Sequence, residues 1–178
     1  MATATQNKRL EQRFKLWDTD GDGRISAKDY ESEARTILKN LSEPMDSIRA
    51  KHLMTAFQHL WEFVAKKAGI QTNGYLSYDQ FQTVTHEELI HPGDEGFSRV
   101  LRPTIRAIVD LVDKEGDGKV NLPEYRKWLK AVGVDAAKAE QAFNQLDAGN
   151  EGELTVDELV HAVRDYHLGR IDVPMLGI

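Results

Sequence analysis

A chain of 178 residues, 40% apolar and 29% charged, has ordinary globular composition and is long enough to bury one core or two small lobes sharing an interface. The formal net charge of −6 argues against a nucleic-acid partner, which would call for a basic face, and the absence of Cys excludes disulfides and thiolate metal ligands. No apolar run reaches the length of a membrane span, the opening MATATQNKRLEQRF lacks the apolar centre of a signal peptide, and Ala2 excludes the N-myristoyl signal; the expected setting is cytoplasmic, with no membrane anchor.

In chain order, helix-spaced apolar residues alternate with short polar loops. Leu10, Phe14 and Trp17 predict a first helix, which runs into DTDGDGRISAKD at 18–29; Tyr30, Ile37 and Leu38 predict the helix that leaves it. The break SEP at 42–44 places Pro44 in the first turn of a third helix carrying Phe57, Leu60, Trp61 and Val64. The loop GIQTNGYLSYDQ at 69–80 follows, then Phe81 and Val84, and a second break HPG at 91–93. His86 and His91 flank Glu87 and Glu88 just before it, which reads as a solvated helix end rather than a zinc site.

The stretch 95–112 is helical, with Pro103 making it start late or kink. It carries Ile105, Ile108, Val109 and Val112 into DKEGDGKVNLPE at 113–124, which Tyr125, Trp128, Leu129 and Val132 follow. Asp135 reads as an N-cap for a helix with Ala142, Phe143 and Leu146. DAGNEGELTVDE at 147–158 then leads into Leu159, Val160 and Val163. Gly23/Ile25, Gly74/Leu76, Gly118/Val120 and Gly152/Leu154 repeat one pattern, Gly with an aliphatic two residues on. The expected fold is all-α: four helix–loop–helix units, eight helices with almost no strand, in two packed pairs. These would span 1–92 and 93–178. The apolar tail Ile171, Val173, Met175, Leu176 and Ile178 is expected to dock on the second pair and fill the place of a target.

Two of the loops carry oxygen donors at positions 1, 3, 5, 7, 9 and 12 with Gly at 6, and a third does at all of these but position 3; this is the spacing by which twelve residues wrap a hard cation, position 7 donating its backbone carbonyl. The first loop offers Asp18, Asp20, Asp22, the Arg24 carbonyl, Ser26 and Asp29. The third offers Asp113, Glu115, Asp117, the Lys119 carbonyl, Asn121 and Glu124. The fourth offers Asp147, Glu151, the Glu153 carbonyl, Thr155 and Glu158, but Gly149 at position 3 has no side chain to donate and leaves its occupancy open. The second begins with Gly69 and ends with Gln80, has no carboxylate at a ligand position, and is expected only to pair structurally with the first.

Asp29 is one methylene shorter than the Glu that grips Ca²⁺ with both oxygens. It favours a smaller, more nearly octahedral site, the geometry Mg²⁺ takes at about 2.0–2.1 Å where Ca²⁺ takes about 2.3–2.6 Å. Two to three Ca²⁺ ions are therefore expected, with Mg²⁺ competing, above all in the first loop.

The chain resembles the EF-hand superfamily over nearly its whole length. Within it the sequence is most similar to the sarcoplasmic calcium-binding proteins and bacterial calerythrin: four hands, a degenerate second, an Asp-closed first, and the run DYHLGRIDVPMLG. The resemblance implies a compact, non-enzymatic protein that buffers Ca²⁺, often in exchange with Mg²⁺. Only Met1, Met45, Met54 and Met175 are present, too scattered for the Met-rich groove of a sensor. A monomeric Ca²⁺ buffer is therefore the first reading, and a sensor exposing a hydrophobic surface to a partner protein the second. A third, oxidative bioluminescence, follows from the layout shared with EF-hand photoproteins, but the first helix offers no His for it.

Overall fold

The computed structural model describes residues 3–91 and 93–173. Eight α-helices occur among them: α1 (Ala4–Trp17), α2 (Ala27–Asn40), α3 (Ile48–Lys67), α4 (Tyr78–Val84), α5 (Gly93–Val112), α6 (Leu122–Ala131), α7 (Ala136–Leu146) and α8 (Val156–His167). Two three-residue strands, β1 (Lys119–Asn121) and β2 (Glu153–Thr155), complete the set. No helix is long and apolar enough to cross a membrane among the described residues.

The helices begin where polar side chains cap them. Thr3, Ser77, Asn121 and Thr155 each close a reciprocal capping box with the residue three positions on, and Asp135 accepts from the Lys138 amide. Two proline readings need correction. Helix α3 starts after Pro44, because the Ser47 hydroxyl caps it by accepting from the Ala50 amide while Pro44 turns the chain into it. Of the two outcomes expected at Pro103, a late start or a kink, the late start does not occur, since α5 runs from Gly93 through it. Pro103 sits on the exposed face, as does Arg99, so water can satisfy the Arg99 carbonyl that proline leaves without a donor. Between α4 and α5 the helical path widens into a π-helical turn, Thr85–Ile90, where Lys67 pairs with Glu88 at 2.8 Å.

The loops pair back to back. Ile25 and Leu76 form an antiparallel bridge between the first and second loops, with N–H···O distances of 3.0 and 2.8 Å. Strands β1 and β2 do the same for the third and fourth, with Val120 opposite Leu154. All four aliphatics are fully buried, which accounts for their recurrence two residues after each Gly.

Buried residues of both halves form one connected core, from Leu10 and Trp17 through Trp61, Phe97 and Trp128 to Val163. Helix α5 packs on α3 from the first half and on α8 from the second, so the two halves share this core. Val173 is buried in it and Ile171 packs against it; Met175, Leu176 and Ile178 lie outside the described residues.

Candidate metal centres in the paired loops

Each candidate loop opens with an aspartate at the end of a helix, and that carboxylate collects the loop's amides. Asp18 accepts from Asp22 and Gly23 at 3.0 and 2.8 Å, Asp113 from Gly116 and Gly118 at 2.7 and 2.8 Å, and Asp147 from Glu151 and Gly152, both at 2.9 Å. Glycine at position 6 makes this turn possible: Gly23, Gly118 and Gly152 have φ of 81°, 78° and 77°, in the left-handed region that side chains disfavour.

The twelfth position separates the loops. Glu124 is buried and spans the third loop, accepting from the Lys114 amide at 2.8 Å and the Asn121 amide at 3.0 Å. Asp29 holds the corresponding points of the first loop despite its shorter stem. It accepts from the Thr19 amide at 3.1 Å and the Ser26 amide at 2.8 Å, and adds the hydroxyls of Thr19 and Ser26 at 2.9 and 2.7 Å. Burial pushes its pKa up, but these hydrogen bonds outweigh that and leave it below the ordinary aspartate value. Glu158 is exposed, and its carboxylate accepts from the Thr155 amide and hydroxyl, at one end of its loop. The first and third loops thus have a buried carboxylate tying both ends, and the fourth does not.

Positions 3 and 5 complete the first loop's acid cluster. Carboxylate oxygens of Asp18, Asp20 and Asp22 lie within 4.8 Å of one another. The third loop gathers Glu115 and Asp117 at the same spacing, but the third member is Glu153, from position 7 of the fourth loop. The sequence assigns Glu153 only a carbonyl role in its own loop. The β1–β2 pairing carries its side chain across, where it also meets the Lys119 ammonium at 2.9 Å and raises that lysine's pKa. In the fourth loop a Cβ on Gly149 would meet Glu151 Cγ at 3.3 Å, so the Glu151 side chain already lies beside the place of the missing donor.

The second loop is fastened without an ion. Gly74 has no left-handed φ, and the Trp61 indole donates to the Thr72 carbonyl at 2.8 Å. Arg24 lies over the Tyr75 ring at 4.5 Å, a further contact between the first two loops. His86 and Glu87 are exposed or half-buried neighbours on the π turn, apart from the acidic clusters.

Oxygen donors alone, a left-handed glycine and alternate inward carboxylates suit a hard divalent cation and define the EF-hand class of calcium-binding proteins. A family model described as EF hand matches residues 10–32. Calerythrin of Saccharopolyspora erythraea is 40% identical over 177 residues, 99% of this chain and 100% of that protein. Luciferin-binding protein of Renilla reniformis is 30% identical over 165 residues, 91% of this chain and 85% of its own. The structure of a Streptomyces coelicolor calcium-binding protein, solved to explain prokaryotic calcium-mediated regulation, superposes with a TM-score of 0.75 at 27% identity, covering 96% of this chain and 99% of that one. The chain belongs to the calerythrin family of EF-hand proteins, and is a calcium-binding protein rather than an enzyme.

Proposed function

We propose that the chain is a cytoplasmic calcium buffer, monomeric, taking up two to three Ca²⁺ ions and exchanging Mg²⁺ at one or more of its sites. Its units are the EF-hand pairs 1–92 and 93–178, the second carrying the docked tail. Asp18, Asp20, Asp22, the Arg24 carbonyl, Ser26 and Asp29 hold the first ion. Asp113, Glu115, Asp117, the Lys119 carbonyl, Asn121 and Glu124 hold the second. Asp147, Glu151, the Glu153 carbonyl, Thr155 and Glu158 hold the third, more weakly. Three dications would cancel the formal charge of −6 and relieve repulsion among the loop carboxylates, so binding adds to folding stability by mass action.

The observation that carries the buffer reading is the single connected core with Val173 inside it. A sensor opens a groove when Ca²⁺ arrives, whereas buffering hands hardly open. Here the surfaces such a groove would expose are packed across the halves. The large apolar residues left exposed among the described residues, Leu16, Met45, Ile48 and Tyr75, are few. The Asp29-closed first loop supports Mg²⁺ exchange there. A second reading, a regulator with a protein partner, is favoured by the relative whose structure concerns calcium-mediated regulation.

Binding of the dye ANS to the apo, Mg²⁺-loaded and Ca²⁺-loaded protein separates the two. The buffer gives equal, low signals with either ion and a higher one without. A rise on replacing Mg²⁺ by Ca²⁺ would overturn the buffer reading and establish the regulator.

A further inference from the structure

Position 7 is Lys119 in the third loop and Glu153 in the fourth. Each offers its backbone carbonyl to its own loop's ion, so neither side chain has a part in its own loop. Across β1 and β2 the two side chains meet, Lys119 Nζ donating to Glu153 Oε2 at 2.9 Å. A carboxylate oxygen of Glu153 also lies within 4.8 Å of carboxylate oxygens of Glu115 and Asp117, positions 3 and 5 of the third loop. Two oxygens that share one ion at about 2.4 Å stand at most about 4.8 Å apart, so the three carboxylates can reach a common cation.

The strand register places this carboxylate where the third loop is poorest in charge. Glu153 stands directly opposite Asn121, the neutral donor at position 9. The Asn121 side-chain oxygen already accepts from the Glu124 amide at 3.1 Å, capping α6. The exchange is one-sided, because the residue at position 7 that the third loop presents in return is a lysine. In the first pair of loops position 7 holds Arg24 and Tyr75, stacked at 4.5 Å, so no carboxylate crosses there from that position.

We propose that the Glu153 side chain is a ligand of the third-loop ion, supplied by the fourth loop, an assignment that rests on the third loop being an ion site. Glu153 then serves two ions, its carboxylate the third loop's and its carbonyl the fourth's. Lys119 holds the carboxylate beside the third loop in the ion-free chain and yields it to a dication, which carries twice the charge. Filling the third loop fixes Glu153, and with it position 7 of the fourth loop. The third site therefore fills first and strengthens the fourth, and by linkage the fourth strengthens the third by the same factor.

The test uses the full chain, titrated with Ca²⁺ and followed through the amide resonances of Gly23, Gly118 and Gly152. Each amide donates to the opening aspartate of its own loop, so each resonance reports that loop. Glu153→Gln keeps the length and the carbonyl and removes only the charge. It should raise the Ca²⁺ concentration at the Gly118 midpoint by about tenfold, since ligand charge sets the affinity of such loops. The Gly152 midpoint should rise by less, through the coupling, and the Gly23 midpoint should stay where it is. In a Lys119→Met background Glu153→Gln should weaken the third loop by the same factor, which separates ligation from the loss of the ion pair. Glu153→Asp, charged but one methylene short, should recover only part of the loss. A Gly118 resonance that ignores Ca²⁺ in the unaltered chain would remove the third site itself. If Gly118 responds but its midpoint is unmoved by Glu153→Gln, moves only while Lys119 is present, or is left behind by a shift confined to Gly152, the third site stands and the role of Glu153 in it is overturned.

Discussion

Asp29 receives both the amide and the hydroxyl of Thr19, at 3.1 and 2.9 Å, tying the last position of the first loop to its second. Glu124 reaches the same place in the third loop with an amide alone, from Lys114 at 2.8 Å. The shorter side chain is therefore compensated: its helix end lies close enough for both carboxylate oxygens to be engaged, and Thr19 and Ser26 add hydroxyl bonds that Lys114 cannot supply. The proposed Mg²⁺ exchange at the first loop rests on that shorter reach.

Asp29→Glu should accordingly relax the first loop. Ca²⁺ affinity relative to Mg²⁺ should rise by about tenfold, because a longer carboxylate can grip the larger ion with both oxygens. The ion-free protein should lose about 1–2 kcal/mol, since the buried hydrogen bonds to Thr19 and Ser26 must be rebuilt around an extra methylene. Calorimetric Ca²⁺ titration with and without Mg²⁺, together with urea unfolding in chelator, checks both. An unchanged selectivity ratio would remove Asp29 from the account of ion preference.

The loops were readable from sequence because their chemistry is local. Ligand spacing, the left-handed glycine and the buried aliphatic two residues later all fall within twelve residues, and Ile25, Leu76, Val120 and Leu154 lie paired as that pattern implies. What escaped depends on the third dimension. Pro44 precedes its helix because Ser47 caps it, and Pro103 is tolerated inside α5 because its face is wet. Glu153 joins Glu115 and Asp117 only because two strands bring separate loops side by side.

Gly149→Asp tests the fourth loop. The new Cβ would stand 3.3 Å from Glu151 Cγ, the flexible part of an exposed side chain, so a shift of a few tenths of an ångström admits it. The loop then has carboxylates at positions 1, 3, 5 and 12. Its Ca²⁺ affinity should rise by about tenfold or more as a charged ligand is gained. Calorimetry should show the weakest site strengthened and the others unmoved; a loop that stays weak would mean that Glu158, bonded to Thr155 at one end of the loop, limits it instead.

His167 sets a pH dependence. Burial first, then the Arg13 and Arg9 charges, depress its pKa from 6.5 to about 3. Above pH 6.5 the ring is neutral folded and unfolded, and contributes nothing to the slope. Below it the unfolded chain takes up a proton that the folded chain refuses, so stability falls as pH drops from 6.5 towards 3. The steepest contribution is about 1.4 kcal/mol per pH unit. His167→Gln should flatten the ion-free stability profile between pH 6 and 4, measured by urea unfolding in chelator. Parallel profiles for the two proteins would show that the ring titrates freely when folded.

Arg9 fastens the first helix to the end of the last. Its guanidinium donates to the Tyr166 carbonyl and, at 2.8 Å, to the Ile171 carbonyl, and lies 4.0 Å over the Tyr166 ring. Its third contact, to Asp172 at 3.3 Å, faces an almost fully exposed carboxylate and is worth little. Both bonds leave one nitrogen, Nη1, whose two N–H directions the guanidinium plane fixes, whereas an ammonium on a flexible stem holds neither direction. Arg9→Ala should cost about 3–4 kcal/mol by leaving both carbonyls without this donor and removing the stacked cation. Arg9→Lys should recover less than half of that, and Asp172→Ala should change stability by under about 0.5 kcal/mol. Urea unfolding of the Ca²⁺-loaded protein measures all three. Equal losses for Arg9→Ala and Asp172→Ala would mean that the ion pair, not the carbonyl fork, joins α1 to α8.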